Sequence, residues 1–438
     1  MLIPSLLLLF SSQQAQFEIP LPTGLPESFQ TQIVLENKKV NIELVRQSLR
    51  SENFVIRNSS GEALPVPPSR TYFGVVKDKP EINLVASLEE RGILITVFMP
   101  DKRIYRISPQ SNNKYTINKP ETIPENMCKA LEAPQQRQSN PQPSKSPHYL
   151  SPYPWNWKTR LSRIAFDATH DYWLREGQSV AGVTAGVEYQ LAENHITCLR
   201  DAMVGYSLTG IVIRQTPYYT GTTSGDLLNE FRIDWDTNQT SIPRESAVLL
   251  DDYQGDGIAG LAWVGTLGGG WAYAGLFWDR GYSPGIIAHE IGHNWGCGHI
   301  DCWPWGGSAM CGSWLLYGPE STDIIQSHAA WLDLPMIDPF DVDVRPYADP
   351  DFFDVDIQKD NILDVLENDH DANFDYLNIS AVDTTSAEGG TLAILSNAGR
   401  GSRNAIRYRP NRTRATPFID TFWYSNSDFN GLEHQTPV

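Results

Sequence analysis

The stretch that most constrains this chain runs His289-Glu290-Ile291-Gly292-His293-Asn294-Trp295-Gly296-Cys297-Gly298-His299. On a helix, residues four apart share a face one turn apart, so His289 and His293 can reach a single cation. Glu290 is expected to point into the same cavity without touching the metal. Gly296 stands where the helix should stop, because glycine takes the left-handed backbone of a helix end without strain. The chain can then reverse and bring His299 in as a third nitrogen ligand. Three imidazoles leave the fourth corner of a zinc tetrahedron for water, the arrangement of a catalytic rather than a structural site. The motif thus names His289, His293 and His299 as metal ligands and Glu290 as the catalytic base.

A His-Glu-x-x-His run alone can arise by accident on a solvated helix. Here it is followed by Gly296, His299 and then Met310, in the tight-turn context Ser308-Ala309-Met310-Cys311-Gly312. A long zinc signature followed by a Met-turn resembles the metzincin zinc peptidases. The resemblance implies an α/β catalytic domain with a mixed sheet, an active-site helix and a Met-turn. It also implies that Met310 supports the floor of the site without bonding the metal. The chemistry implied is endopeptidase hydrolysis by zinc-activated water, with Glu290 as general base and a protein or peptide as substrate.

The order of elements around the motif extends the likeness. Arg163–Ala168, Gly210–Arg214 and Ala247–Asp251 read as strands, and Ser179–Ile196 as an amphipathic helix. Leu227–Trp235 reads as a second helix and Thr322–Leu332 as a closing one. With Gly260-Leu261-Ala262-Trp263-Val264-Gly265 ahead of the zinc helix, this pattern is similar to the adamalysin (reprolysin) branch. In that branch an edge strand in this region holds substrate by β-augmentation, which is largely blind to side chains. Two features depart from the metzincin branches. Ile300 intervenes between His299 and Asp301, where the adamalysins have Asp directly after the third His. No Tyr follows Met310 by two residues, which disfavours the astacin and serralysin branches.

Upstream, Gln32–Leu35 and Val40–Leu44 flank a polar turn and read as a hairpin. The rhythm of strands from Tyr72 to Ile107 is similar to an adamalysin propeptide. Cys128, in Pro124-Glu125-Asn126-Met127-Cys128, then resembles a cysteine switch. Its thiolate would hold the open zinc position until the propeptide is removed, since a thiolate binds zinc better than water does.

With 438 residues, two or three domains are expected. The expected division is a signal peptide at 1–15, a β-rich propeptide at 16–132, a Pro/Gln/Ser-rich linker at 133–156, the peptidase domain at 157–347 and a β-sandwich at 348–438. The apolar run Leu2–Phe10 is too short to span a bilayer and reads as a secretory signal, so the product is expected outside the cell, in a periplasm or at the cell surface. No later segment is long and apolar enough to cross a membrane. A net charge of −18 argues against nucleic acid as a partner.

Five cysteines fit an exported protein. Cys198, Cys297, Cys302 and Cys311 are expected to form two disulfides, in any of three pairings, leaving Cys128 as the odd one. From about Asp349 the strands resemble bacterial cadherin-like or immunoglobulin-like repeats, a module suited to contact with a cell surface or matrix. The chain ends about where a last strand should begin, so the module reads as incomplete. Asp369, Asp371, Asn373 and Asp375 are candidate calcium ligands beside the zinc. Two rivals remain: a surface protein with a vestigial zinc domain, and a zinc hydrolase acting on a non-peptide bond.

Overall fold

The structure is a computed structural model that describes residues 16–99, 103–110, 114–119, 128–132, 159–252, 255–277, 283–300, 308–312, 315–332, 334–337, 346, 348, 350–369, 371, 377–399, 403–428 and 431–438. The expected signal peptide and the expected linker lie outside the described residues, as do Asp301, Cys302, Asn373 and Asp375.

The N-terminal part is built from β1 (Phe17–Glu18), β2 (Ser28–Leu35), β3 (Lys38–Arg46), β4 (Arg50–Asn58), β5 (Thr71–Val76), β6 (Lys79–Glu89), β7 (Gly92–Phe98), β8 (Ile104–Pro109), β9 (Lys114–Asn118) and β10 (Cys128–Leu131). Eight of these form one antiparallel sheet in the order β1-β9-β8-β7-β6-β5-β3-β2. The expected hairpin is β2–β3, and its two turn residues, Glu36 and Asn37, have φ of 49° and 63°. That left-handed pair matches the twist of a tight hairpin. Alternate side chains of β5 to β7 divide between two cores. Tyr72, Leu84 and Ile95 join a cluster within the N-terminal sheet, while Phe73, Val85 and Phe98 face the next layer.

That next layer belongs to the central domain, which contains β11 (Thr159–Ala168), α1 (His170–Arg175), α2 (Val180–Ala202), β12 (Val204–Ile213), α3 (Ser224–Asn238), β13 (Ser246–Leu250), β14 (Gly260–Trp263), β15 (Tyr273–Leu276), α4 (Ser283–Trp295), α5 (Pro319–Trp331) and β16 (Met336–Ile337). Its sheet runs β10-β14-β15-β13-β11-β12-β4, with β16 added on β11. β12, β11, β13 and β15 are mutually parallel and β14 is antiparallel to β15, which makes the mixed sheet that was expected. α2 and α4 share one apolar cluster on one face, and α3 contributes Leu227, Leu228, Phe231 and Trp235 to a second cluster.

Both outer strands of this sheet come from the N-terminal part. β4 pairs in parallel with β12 at one edge, and β10 pairs in parallel with β14 at the other. α2 differs in character from the helix expected over Ser179–Ile196. Ser179 caps it, accepting from Gly182 N at 3.2 Å. However, every residue from Val183 to Leu199 is buried. The polar face meant for water is covered by the N-terminal sheet.

The C-terminal part holds β17 (Asn361–Leu363), β18 (Asn378–Val382), β19 (Thr391–Leu395), β20 (Ala405–Arg409), β21 (Trp423–Ser427) and β22 (Glu433–Pro437). They form two three-stranded sheets, β17-β20-β19 and β18-β21-β22, that share one apolar cluster including Ile406, Tyr408, Ile379 and Tyr424. The last of these strands, β22, pairs with β21 from Glu433 to Pro437. Among the described residues, no helix is long and apolar enough to cross a membrane.

Candidate metal centre

α4 carries the first two ligands. It is apolar on nearly all sides, with Ile286, Ile287, Ala288, Ile291 and Trp295 buried, so it runs through the core rather than along the surface. Asn294 fastens its end. The Asn294 side chain donates to Trp263 O at 3.0 Å and Tyr273 O at 3.1 Å, and accepts from Ser246 Oγ at 2.7 Å. The helix stops at Gly296, whose φ of 110° belongs to the left-handed region where glycine is favoured. The chain then turns back to His299, as the spacing predicts.

The three imidazoles converge. Nε2 of His289 lies 3.0 Å from Nε2 of His293 and 3.2 Å from Nε2 of His299. A tetrahedral zinc with bonds of about 2.0–2.1 Å separates its ligand nitrogens by roughly 3.3 Å, so the spacing fits. The tautomers fit as well. His289 Nδ1 bonds Ala309 O at 2.7 Å, and His293 Nδ1 bonds Cys297 O at 2.8 Å. A carbonyl can only accept, so in both rings Nδ1 carries the proton and Nε2 presents a lone pair to its neighbour. Lone pairs at this distance repel unless a cation lies between them. Burial holds His289 well below the usual imidazole range and His293 down to about 4, so both rings are neutral, the state a metal ligand needs. His289 and His293 are fully buried and His299 is exposed, which leaves the centre open on one side.

Glu290 is 1% exposed and takes a hydrogen bond from the Cys128 thiol. Burial pushes its acid well above the ordinary carboxylate range. Room for it exists because residue 260 on β14 is glycine. A Cβ there would meet Glu290 Oε1 at 2.2 Å and Ile286 Cγ2 at 2.7 Å. Gly292 plays the same part below the helix, where an added Cβ would sit 2.3 Å from Met310 Sδ. Met310 is fully buried, in a 3-10 turn over Ala309–Cys311. The turn serves twice: Met310 fills the space under α4, and Ala309 O orients His289.

Cys128 is buried beside the centre. One ligand atom each of Cys128, His289 and Glu290 falls within 4.8 Å of the others. β10 brings it there, in register Cys128↔Gly260 to Leu131↔Trp263 along β14. β14 is the strand next to this outer strand of the sheet. Gly260, Asn294 and Ala309 were missed by sequence reasoning. Only Gly260 had a local signal, as the first residue of the Gly-Leu-Ala-Trp-Val-Gly run.

The other expectations fare unevenly. Cys198 and Cys297 are buried and in no disulfide, so two bridges among the four central cysteines are not formed. Cys198 is sealed in the apolar cluster on α2, where burial pushes its thiol up to about 12, and Cys297 Sγ faces Ser321 O at 3.7 Å. Of the candidate calcium ligands, Asp369 and Asp371 are buried. Asp369 accepts from Tyr424 Oη at 2.9 and 3.0 Å and from Asn426 Nδ2 at 2.8 Å, so its oxygens are engaged by the sandwich itself.

No curated protein matches this chain. Residues 158–313 match the family model Reprolysin_5, metallo-peptidase family M12, and with a His triad that fits zinc this supports a zinc metallopeptidase.

Proposed function

We propose that this chain is a zinc-dependent endopeptidase of the metzincin type, exported and made as an inactive precursor. The observation that supports it best is the convergence of three Nε2 atoms beside the buried Glu290 carboxylate. Zinc held by His289, His293 and His299 would supply Lewis acidity and a water acidified toward a pKa of about 7. Glu290 takes the proton of the attacking water on a carboxylate oxygen and later delivers it to the leaving amine. Its burial raises its proton affinity, and the Cys128 hydrogen bond and a bound cation oppose that rise.

The substrate lies extended along β14, held by main-chain bonds, so that its carbonyl meets the metal and Glu290 together. In the precursor β10 holds that edge, and Cys128 would supply a thiolate to the open side of the zinc that the three imidazoles would hold. Export rests on the apolar run at Leu2–Phe10. The sandwich at 348–438 is a module for contact with a cell surface or matrix.

The test uses the full chain carrying Cys128→Ala, with an unfolded protein as substrate. Hydrolysis should stop with a chelator and return with added zinc. Hydrolysis that ignores the chelator would sink the proposal.

A further inference from the structure

Residues 16–132 touch the peptidase sheet at both edges, and the two contacts differ in kind. β10 is a four-residue strand beside the metal centre. β4 is longer and sits on the far edge. It pairs with β12 from Leu208↔Arg50 to Ile213↔Asn58, and Leu208 N donates to Leu49 O at 2.7 Å. Leu49, Ile56, Phe73, Val85, Phe98 and Ile104 belong to the same apolar cluster as α2 and α4. No separate surface divides the two parts there.

The charges point the same way. Glu188 on α2 is 2% exposed and Glu193 is 0% exposed. Glu188 accepts from Arg50 Nε at 2.7 Å, Arg50 Nη2 at 2.9 Å, Ser48 Oγ at 3.3 Å and Ser69 Oγ at 3.2 Å. Glu193 accepts from Arg106 Nη2 at 2.9 Å and Arg106 Nε at 3.2 Å, and Thr96 donates to it as well. Each of these donors comes from the N-terminal part. Tyr189 and His195, also on α2, meet Thr96 and Phe73 across the same boundary.

We propose that residues 16–132 are a resident part of the working peptidase rather than a cover that is shed. A cut between β10 and β11 releases β10 from the cleft, while β4, Arg50 and Arg106 keep the N-terminal part in place. This rests on the precursor reading above. Shedding the whole part would strand two carboxylates on an apolar helix face and open the long edge of β12. Baring the apolar surface that Phe73, Val85 and Phe98 cover is strongly unfavourable, and an open apolar edge invites aggregation. Peeling β10 off β14 breaks neither ion pair and opens an edge of only four residues.

A site-specific protease sequence placed between Pro134 and Ser146 of the full chain allows the test. After complete cutting, verified on a denaturing gel, both fragments should co-elute in native size-exclusion at the volume of the uncut chain. They should part only in denaturant. Separation in native buffer, with the larger fragment folded by circular dichroism, overturns the proposal. Cys128→Ser in the same cut chain should leave co-elution intact; its loss would mean that the metal contact, not β4, holds the parts together, and overturns the proposal too. Arg50→Ala with Arg106→Ala should lower the urea concentration at which the fragments part, and an unchanged value counts against the interface described. Hydrolysis by the same samples reads the precursor role separately: no gain on cutting would defeat that reading while co-elution still decided this one.

Discussion

The Cys128 sulfur and a Glu290 carboxylate oxygen lie within 4.8 Å of each other and of a ring nitrogen of His289. A thiol from residue 128 thus stands at the point where the base and the first ligand meet. The strand that delivers it occupies the β14 edge, on which the proposed function places the substrate.

Cys128→Ala should therefore raise hydrolysis by the intact, uncut chain above that of the unsubstituted chain. A peptide-cleavage assay on both proteins checks this. Equal rates would place the block in β10 on the β14 edge rather than in the Cys128 thiol.

Gly260 makes a more selective prediction. A methyl group there collides with Glu290 Oε1, while the three ligands are untouched. Displacing a catalytic group by about 1 Å can cost on the order of 10²-fold in rate. Gly260→Ala, in the Cys128→Ala background, should lose kcat by about that much and keep its zinc, measured by metal analysis beside steady-state rates.

His195 should make the fold acid-sensitive. It is buried against β12, where burial lowers its pKa from 6.5 to about 4, and its Nδ1 accepts from Tyr206 N at 2.8 Å. The unfolded chain binds a proton at this residue below pH 6.5, while the folded chain does so only below about 4. Stability from this group is thus present above pH 6.5, falls between 6.5 and 4, and changes no further below that, by about 3 kcal/mol in all. Urea midpoints at pH 7 and pH 5 should converge in His195→Gln relative to the parent. An unchanged difference would clear His195 of the effect.

Asp167 anchors a buried network far from the metal. It accepts from Arg214 Nη2 at 2.6 Å, Trp235 Nε1 at 2.7 Å and Tyr219 Oη at 3.0 Å, and both Asp167 and Arg214 are fully buried. Asp167→Ala removes one of the two carboxylates, with Asp234, that face a buried guanidinium and leaves Trp235 Nε1 without its acceptor, and should cost about 3 kcal/mol in urea unfolding.

The metal centre was legible in the sequence because its ligands lie within one helix and the turn after it. Helical spacing puts His289 and His293 on one face, and Gly296 marks the reversal that returns His299. The strands β11, β12 and β13 were legible too, since their apolar runs are fully buried whatever lies beside them. β4 and β10 were not. Arg50-Ser51-Glu52-Asn53 carries no apolar alternation, and its strand character comes from β12, some 150 residues away in the chain. α2 was read as a helix correctly but given a wet face. Glu188 and Glu193 look solvated in sequence because their partners, Arg50 and Arg106, belong to another layer. The cysteines misled for a related reason: proximity in sequence to the zinc motif said nothing of Cys198 and Cys297 being sealed in the core as thiols.

The most direct measurement compares zinc content and proteolysis in Glu290→Gln and its parent, both carrying Cys128→Ala. Three imidazoles should retain one zinc per chain in each protein, while the loss of the base should lower hydrolysis by about 10²- to 10⁴-fold. Hydrolysis at the parental rate in Glu290→Gln, or a parent that cleaves peptides without bound metal, would contradict this assignment.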